Sequence, residues 1–198
     1  MASIDEKLRR AVVGVAGLGG LGSNVAAALA RAGVGRLIIA DFDMVEAANL
    51  NRQQYFLDQV GRPKVECTVE NLRRINPAVL VEAHNERLTA ANVPELFAAA
   101  DVVAECFDRA QEKQMIVETV LARMSPKPIV SVSGLAGYGK SNAITTRRIS
   151  PRLILIGDGQ SGIDTEPILT AARVGIAASH QANAIIELLV DEIKASAP

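Results

Sequence analysis

The residues of this chain best equipped for chemistry lie between Val12 and Lys64. Gly17, Gly19 and Gly22 are spaced as G-x-G-x-x-G, with a further glycine at Gly20, between an apolar run and an alanine-rich run. That spacing carries meaning only as a strand, a tight turn and a helix in succession, and the flanking runs supply both elements. Glycines let the backbone approach a phosphate, and the unpaired N–H groups that open the helix attract it, aided by the helix dipole. Asp41 ends an apolar segment about 20 residues further on, where a carboxylate can accept hydrogen bonds from ribose hydroxyls. Asn49, Arg52 and Gln53 follow, and then Lys64. Two fixed cations and several amides so soon after a ribose-binding carboxylate suit a triphosphate, whose departing pyrophosphate must be neutralised.

Such a set needs a scaffold that gathers it. The pattern predicts a strand at 11–16, a helix at 21–32 closed by Gly33 and Gly35, and a strand at 36–40 with Leu37, Ile38 and Ile39 at its core. Continuous apolar strands are buried on both faces, so the fold class is α/β, Rossmann-like, with a mostly parallel sheet and helices on both faces. Residues 42–60 show no strand pattern, and a connection of that length inside a domain is commonly functional. Pro63 suits the first helical position of a helix at 65–75, with Lys64 projecting from its first turn. A strand at 79–83, a short helix at 93–99, a strand at 102–106, a helix at 109–124 and a strand at 128–132 follow. Two β-branched runs, 143–149 and 152–156, predict a short antiparallel extension near the C-terminus. An acidic, glycine-rich loop at 157–166 precedes a closing helix at 174–195. No repeat or linker divides the chain, and residues 1–198 read as a single domain.

Composition argues against several function classes. With a formal net charge of -1 the chain has no electrostatic footprint for nucleic acid along a phosphate backbone. Cys67 and Cys106 cannot build a disulfide framework, and the absence of C-x-x-C excludes a structural zinc knuckle. A reducing compartment, the cytosol, is the expected address. Residues 11–30 carry no charge, yet Gly17, Gly19, Gly20, Gly22, Ser23 and Asn24 interrupt them where a strand must turn into a helix, so neither a membrane span nor a signal sequence is expected.

Hydride transfer on a dinucleotide, the commonest use of the glycine pattern, is underequipped. His84 follows a strand in a polar stretch and His180 lies in the last helix, and neither is placed as an acid or base. A second motif competes: residues 134–141 satisfy G-x-x-x-x-G-K-S after a strand, as a P-loop does. The residues after it read as strand rather than helix, which removes the dipole and ordered N–H groups of a phosphate cradle. That loop is instead expected to act as a flap near the active site.

Gly-Leu-Gly-Gly-Leu-Gly-Ser, Asp41-Phe42-Asp43, Asn49-Leu50-Asn51-Arg52-Gln53-Gln54 and Gly61-Arg62-Pro63-Lys64-Val65-Glu66, in this order, resemble the adenylation core of the ubiquitin-activating-like superfamily. More closely, the chain resembles the short ThiF proteins of thiamine biosynthesis, adenylyltransferases acting on the sulfur carrier ThiS. The likeness extends over Ala136-Gly137-Tyr138-Gly139-Lys140-Ser141 and Arg173-Val174-Gly175-Ile176-Ala177-Ala178. It implies ATP and Mg²⁺ as cofactors, a ubiquitin-fold carrier ending in Gly-Gly as partner, and a homodimer. It also implies that Gly20 lines the α-phosphate, Asp41 holds the ribose, and Asn49, Arg52 and Lys64 grip the phosphates. Asp108 matches the family aspartate that serves Mg²⁺ and the reacting centre, and its alternative duty is to cap the helix from Arg109 onward.

A carrier carboxylate is already ionised at pH 7, so this chemistry needs no general base. Larger relatives carry paired C-x-x-C ligands and a cysteine that bonds to the activated carrier. Neither Cys67, expected in a helix, nor Cys106, expected in a strand, stands in such a loop, and both read as small core residues. Dimeric relatives reach a neighbouring site with an arginine upstream of the first strand, and Arg9 and Arg10 lie closer to the strand than that. The other readings are action on another carrier or on a tRNA, a P-loop NTPase, and a nucleotide-sensing module without turnover.

Overall fold

The uninterrupted apolar segments become strands because only a strand covered on both faces can bury every side chain it carries. The computed structural model describes residues 2–162 and 168–195, the stretch 192–195 as backbone alone. Its strands are β1 (Val12–Ala16), β2 (Arg36–Ala40), β3 (Leu80–His84), β4 (Val102–Glu105), β5 (Ile129–Val132), β6 (Thr145–Ser150) and β7 (Leu153–Gly157). Its helices are α1 (Ile4–Arg10), α2 (Gly20–Ala32), α3 (Lys64–Ile75), α4 (Val93–Leu96), α5 (Ala110–Arg123) and α6 (Ala171–Ala195). The sheet runs β3-β2-β1-β4-β5-β7-β6, parallel throughout except for the antiparallel β6–β7 pair.

Alternation along β2 shows how the two layers are separated. Leu37 and Ile39 belong to one core with Val25 and Leu29 of α2, Leu72 of α3 and Ile185 of α6, whereas Ile38 and Ala40 join Phe97, Ile116 and Val120 in another. Period-two side-chain direction is what sends neighbours to opposite faces. Gly14 of β1 is part of the same fit, since a Cβ there would stand 2.6 Å from the Phe97 ring. The strand order changes direction between β1 and β4, and the loops that carry the glycine turn, Asp41 and Asp108 all leave the carboxyl ends of β1, β2 and β4. Open α/β sheets bind their ligands in that crevice.

The expected elements are all present, with shifted ends. Pro63 is the N-cap of α3 rather than its first residue, which makes Lys64 the opening helical position. The expected helix at 93–99 stops at Leu96, and the strand expected from residue 143 starts at Thr145 after a 3₁₀ turn at Ser141–Ala143. The 42–60 connection contains two 3₁₀ turns, Ala47–Asn49 and Leu57–Gln59, and Met44 bridges to Pro63. Of the expected loop at 157–166, residues 163–166 lie outside the described residues. The uncharged 11–30 run is divided between β1 and α2, and among the described residues no helix is long and apolar enough to cross a membrane.

Candidate functional site

The glycine turn is built from backbone contacts that side chains would prevent. Gly17 adopts φ +89°, and a Cβ on Gly22 would stand 1.8 Å from the Gly17 carbonyl oxygen, so the first and third glycines of the motif press the end of β1 onto the first turn of α2. Gly19 is the N-cap of α2 and supplies no side-chain cap. The first N–H groups of the helix therefore have no intrahelical partner and line a cleft of about 940 Å³ through Gly19, Gly20 and Leu21. Gly20 is covered from above, because its Cβ would meet Val174 at 3.2 Å and the Arg52 stem at 3.5 Å.

Asp41 stands at the next strand end and faces the same cleft. Its two oxygens accept the Leu18 N–H at 2.6 Å and the Asp43 N–H at 2.8 Å. Burial raises its pKa above the ordinary carboxylate value, against the opposing pull of the Lys64 charge and the two N–H donors. Nucleotide held through the ionised form of Asp41 is expected to bind best above that raised pKa and to weaken as the pH falls through it, beginning at a higher pH than the ordinary value of about 3.9. Calorimetric titration with a non-hydrolysable ATP analogue across that window checks this, and Asp41→Asn should flatten the dependence.

Lys64 is 5% exposed, and its ammonium lies 2.9 Å from the half-exposed Asp43 carboxylate on the cleft wall. Arg52 reaches the cleft with a guanidinium that donates to Asn51 at 2.8 Å. Gln53 is the most telling of the group. It is 8% exposed, lies beside Gly19, and its Oε1 has no hydrogen-bond partner although it is buried. A buried amide oxygen left unpaired is costly, so at the cleft wall Gln53 Oε1 offers an acceptor to a ligand or water donor. Asn49, at the end of the 3₁₀ turn Ala47–Asn49, completes this wall.

The loop that carries these groups is laced to the glycine turn. Ser23 Oγ donates to the Gly19 carbonyl and accepts the Gln54 N–H, Asn24 Nδ2 donates to the Gly20 and Arg52 carbonyls, and the Tyr55 hydroxyl donates to the Leu18 carbonyl at 2.8 Å. The sequence reading missed Ser23, Asn24 and Tyr55 as supports. Their signal was weak, since a serine or asparagine after the glycines reads first as a helix-opening residue.

Asp108 lies across the cleft, exposed, just beyond β4. Its capping alternative is not realised: the N-cap of α5 is Arg109, and no side-chain hydrogen bond closes that helix. The carboxylate is free to face a ligand. Among the described residues no group of three or more His, Cys, Asp or Glu could hold a metal ion. Magnesium at nucleotides takes one or two carboxylates together with phosphate oxygens and waters, a demand that a single exposed carboxylate such as Asp108 can meet. Every residue expected to bind the nucleotide or to act on it thus lines one cleft, save Gly22, which shapes the turn from beneath.

Ser133, Gly134, Leu135 and Ala136 form a further wall, which places the start of the second glycine loop at the cleft. No α-helix follows that loop, only the 3₁₀ turn and β6, so it makes no P-loop cradle. The expected flap is anchored: Arg173, 3% exposed, donates to the carbonyls of Ala136, Gly139 and Lys140 and to Asp158 at 2.5 Å. Burial would lift the Asp158 carboxyl, but the Ser161 and Gln160 N–H groups and the Arg173 charge hold it below the usual range. Lys140 is exposed and does not line the cleft. Lys140→Ala is expected to leave nucleotide affinity unchanged in the same titration, and a large loss would restore a phosphate role for this loop.

Neither Arg9 nor Arg10 lines the cleft, and both are exposed in the last turn of α1. His84 is engaged with Glu82 and Glu86, His180 with Thr146, and neither faces the cleft. Both cysteines are buried, and burial pushes both thiols up, away from the reactive thiolate. A separate hollow of about 420 Å³ beside Arg36, Arg73 and Leu80 lies along the β3 edge and shares no residue with the cleft.

The chain is similar to several known proteins. A sulfur carrier protein ThiS adenylyltransferase of Escherichia coli is 38% identical over 134 residues, 67% of this chain and 53% of that protein. The adenylyltransferase and sulfurtransferase uba4 of Emericella nidulans is 39% identical over 135 residues, 68% of this chain and 28% of its own length. The matched region thus spans from about a quarter to about half of these curated relatives. Among solved structures, the E. coli tRNA N6-threonylcarbamoyladenosine dehydratase TcdA in complex with AMP superposes with a TM-score of 0.86 at 21% identity, covering 96% of this chain and 90% of that one, a likeness of fold. The sequence pattern of the ThiF family matches residues 2–197, and the chain belongs to that family.

Proposed function

We propose that this protein is an ATP-dependent adenylyltransferase that transfers AMP to the C-terminal glycine carboxylate of a ubiquitin-fold sulfur carrier of the ThiS kind, in thiamine thiazole formation. The observation that carries the reading is a single cleft in which a helix N-terminus, a buried cation, an unpaired amide oxygen and an exposed carboxylate converge without a histidine on its described walls. A carboxylate nucleophile needs no base, because it is ionised at neutral pH. One carrier oxygen attacks the α-phosphorus, the bond from that phosphorus to the pyrophosphate bridge breaks, and its electron pair departs with pyrophosphate.

The chain's own residues then have two tasks, alignment and neutralisation. The opening N–H groups of α2 at Gly20 receive the α-phosphate, and Asp41 fixes the ribose. Asn49, Gln53, Arg52 and Lys64 meet the charge that accumulates on the leaving group. Lys64 is already desolvated, and Asp43 offsets its charge until phosphate oxygens arrive. Magnesium, when bound at Asp108, would add Lewis-acid neutralisation of the phosphates. A homodimer in the cytosol belongs to the same reading, and equilibrium sedimentation measures the first of these.

ATP–pyrophosphate exchange with a purified carrier ending in Gly-Gly tests the proposal. Exchange that depends on the carrier is the expected result. ATP binding without exchange would make the protein a nucleotide-sensing module, and exchange supported by a tRNA instead would reassign its acceptor.

A further inference from the structure

Glu105 is a carboxylate with 0% exposure at the carboxyl end of a strand whose other residues are apolar. Such a group survives in a core only when its lone pairs are filled, and here they are. Oε1 accepts the Phe107 N–H at 2.7 Å and Lys113 Nζ at 2.9 Å, and Oε2 accepts Ser131 Oγ at 2.6 Å, Lys113 Nζ at 3.1 Å and, at 3.4 Å, the Val132 N–H. Lys113 lies on the cleft wall with its side chain 24% exposed, and a further bond to the Val132 carbonyl at 3.1 Å, added to the two to Glu105, engages its ammonium with acceptors of the fold. These partners come from the loop that carries Asp108, from the first turns of α5, and from the end of β5 where the wall at Ser133 and Gly134 begins.

Replacing a buried ion pair by apolar groups of like volume commonly costs no stability, so stability alone does not account for this one. We infer that Glu105 and Lys113 are positioning residues: they fix the peptide before Asp108 and the start of the 133–136 wall relative to each other, and so set the separation across which the acceptor carboxylate meets the α-phosphate. The inference rests on the adenylyltransferase reading for its consequence, while the positioning itself is a property of the fold.

The test uses the full chain carrying Glu105→Gln together with Lys113→Met, which removes both charges and keeps both volumes. Nucleotide-analogue affinity, set by the α2 end and Asp41, should stay at its wild-type value. Exchange at saturating ATP and carrier should fall about 100-fold, the usual effect of an ångström-scale misplacement. Amide hydrogen exchange at residues 107–109 should quicken while the β1 and β2 amides keep their protection. Lys113→Met alone leaves the carboxylate buried without a cation and should lower the melting temperature, which the double variant restores. A double variant with wild-type exchange and wild-type protection at 107–109 overturns the positioning role. Absence of carrier-dependent exchange in the wild-type protein would overturn the proposed function instead, and the amide protection would still decide the positioning.

Discussion

Replacing Asp108 by alanine is expected to lower carrier-dependent pyrophosphate exchange by on the order of 10³-fold, the scale on which a single preorganised electrostatic group acts in a transition state. The melting temperature should not move, because the side chain is exposed and closes no hydrogen bond at the start of α5. Nucleotide-analogue affinity without metal should also persist, since Asp41 and the α2 end are untouched. Exchange kinetics, thermal unfolding and calorimetry on one preparation separate the three. Wild-type exchange in this variant would remove Asp108 from the chemistry and leave Arg52 and Lys64 as the groups that act on the phosphates.

Gly22→Ala is expected to be strongly destabilising, as one of the glycines where an added methyl group would run into backbone. The new Cβ would lie 1.8 Å from the Gly17 carbonyl oxygen and 3.2 Å from Cys106 Cβ, and neither is a flexible side-chain end that can swing away. Either the end of β1 separates from α2 or the turn reorganises, and a loss of about 3–5 kcal/mol follows, at the upper end for single substitutions. Gly20→Ala offers the contrast. Its Cβ meets Val174 at 3.2 Å, a contact that a small shift relieves, so the fold should persist while the methyl crowds the phosphate position. Chemical denaturation and analogue binding on the two variants should therefore give opposite patterns. Equal destabilisation of both would show that the turn is not built on the Gly17–Gly22 approach.

What could be read from the chain beforehand was local. Gly17 and Gly22 announce their turn because a positive φ at the first and a backbone contact at the third leave no room for a side chain, and Leu37-Ile38-Ile39 announce a buried strand because no polar side chain interrupts them. Asp41 and Lys64 were legible as boundary residues, each at the end of an element that faces the cleft. Glu105 was not, although a charged residue within an apolar strand demands a partner. Its partners Lys113, Ser131 and Val132 lie on other elements, and only the β4–β5 pairing and the return of α5 bring them together. Tyr55 and Arg173 were missed for the same reason, since the carbonyls they bind are 37 residues and 33 to 37 residues away. The ends of α3 and α4 were misplaced because Pro63 serves equally as a cap or a first residue, and because a hydrogen-bonded turn ends the helix at Leu96.

Val174 of α6 resting on Gly20 of α2 also has a temporal meaning. Chains leave the ribosome from the N-terminus at about 5–20 residues per second, and α2 emerges long before its covering partner. Val25 and Leu29 share a core with Ala177, Ile185 and Leu188, so until α6 is synthesised that flank of α2 is bare. A nascent chain of this protein thus exposes the apolar flank of α2 and the uncovered Gly20 face until α6, far along the sequence, has emerged to close over them.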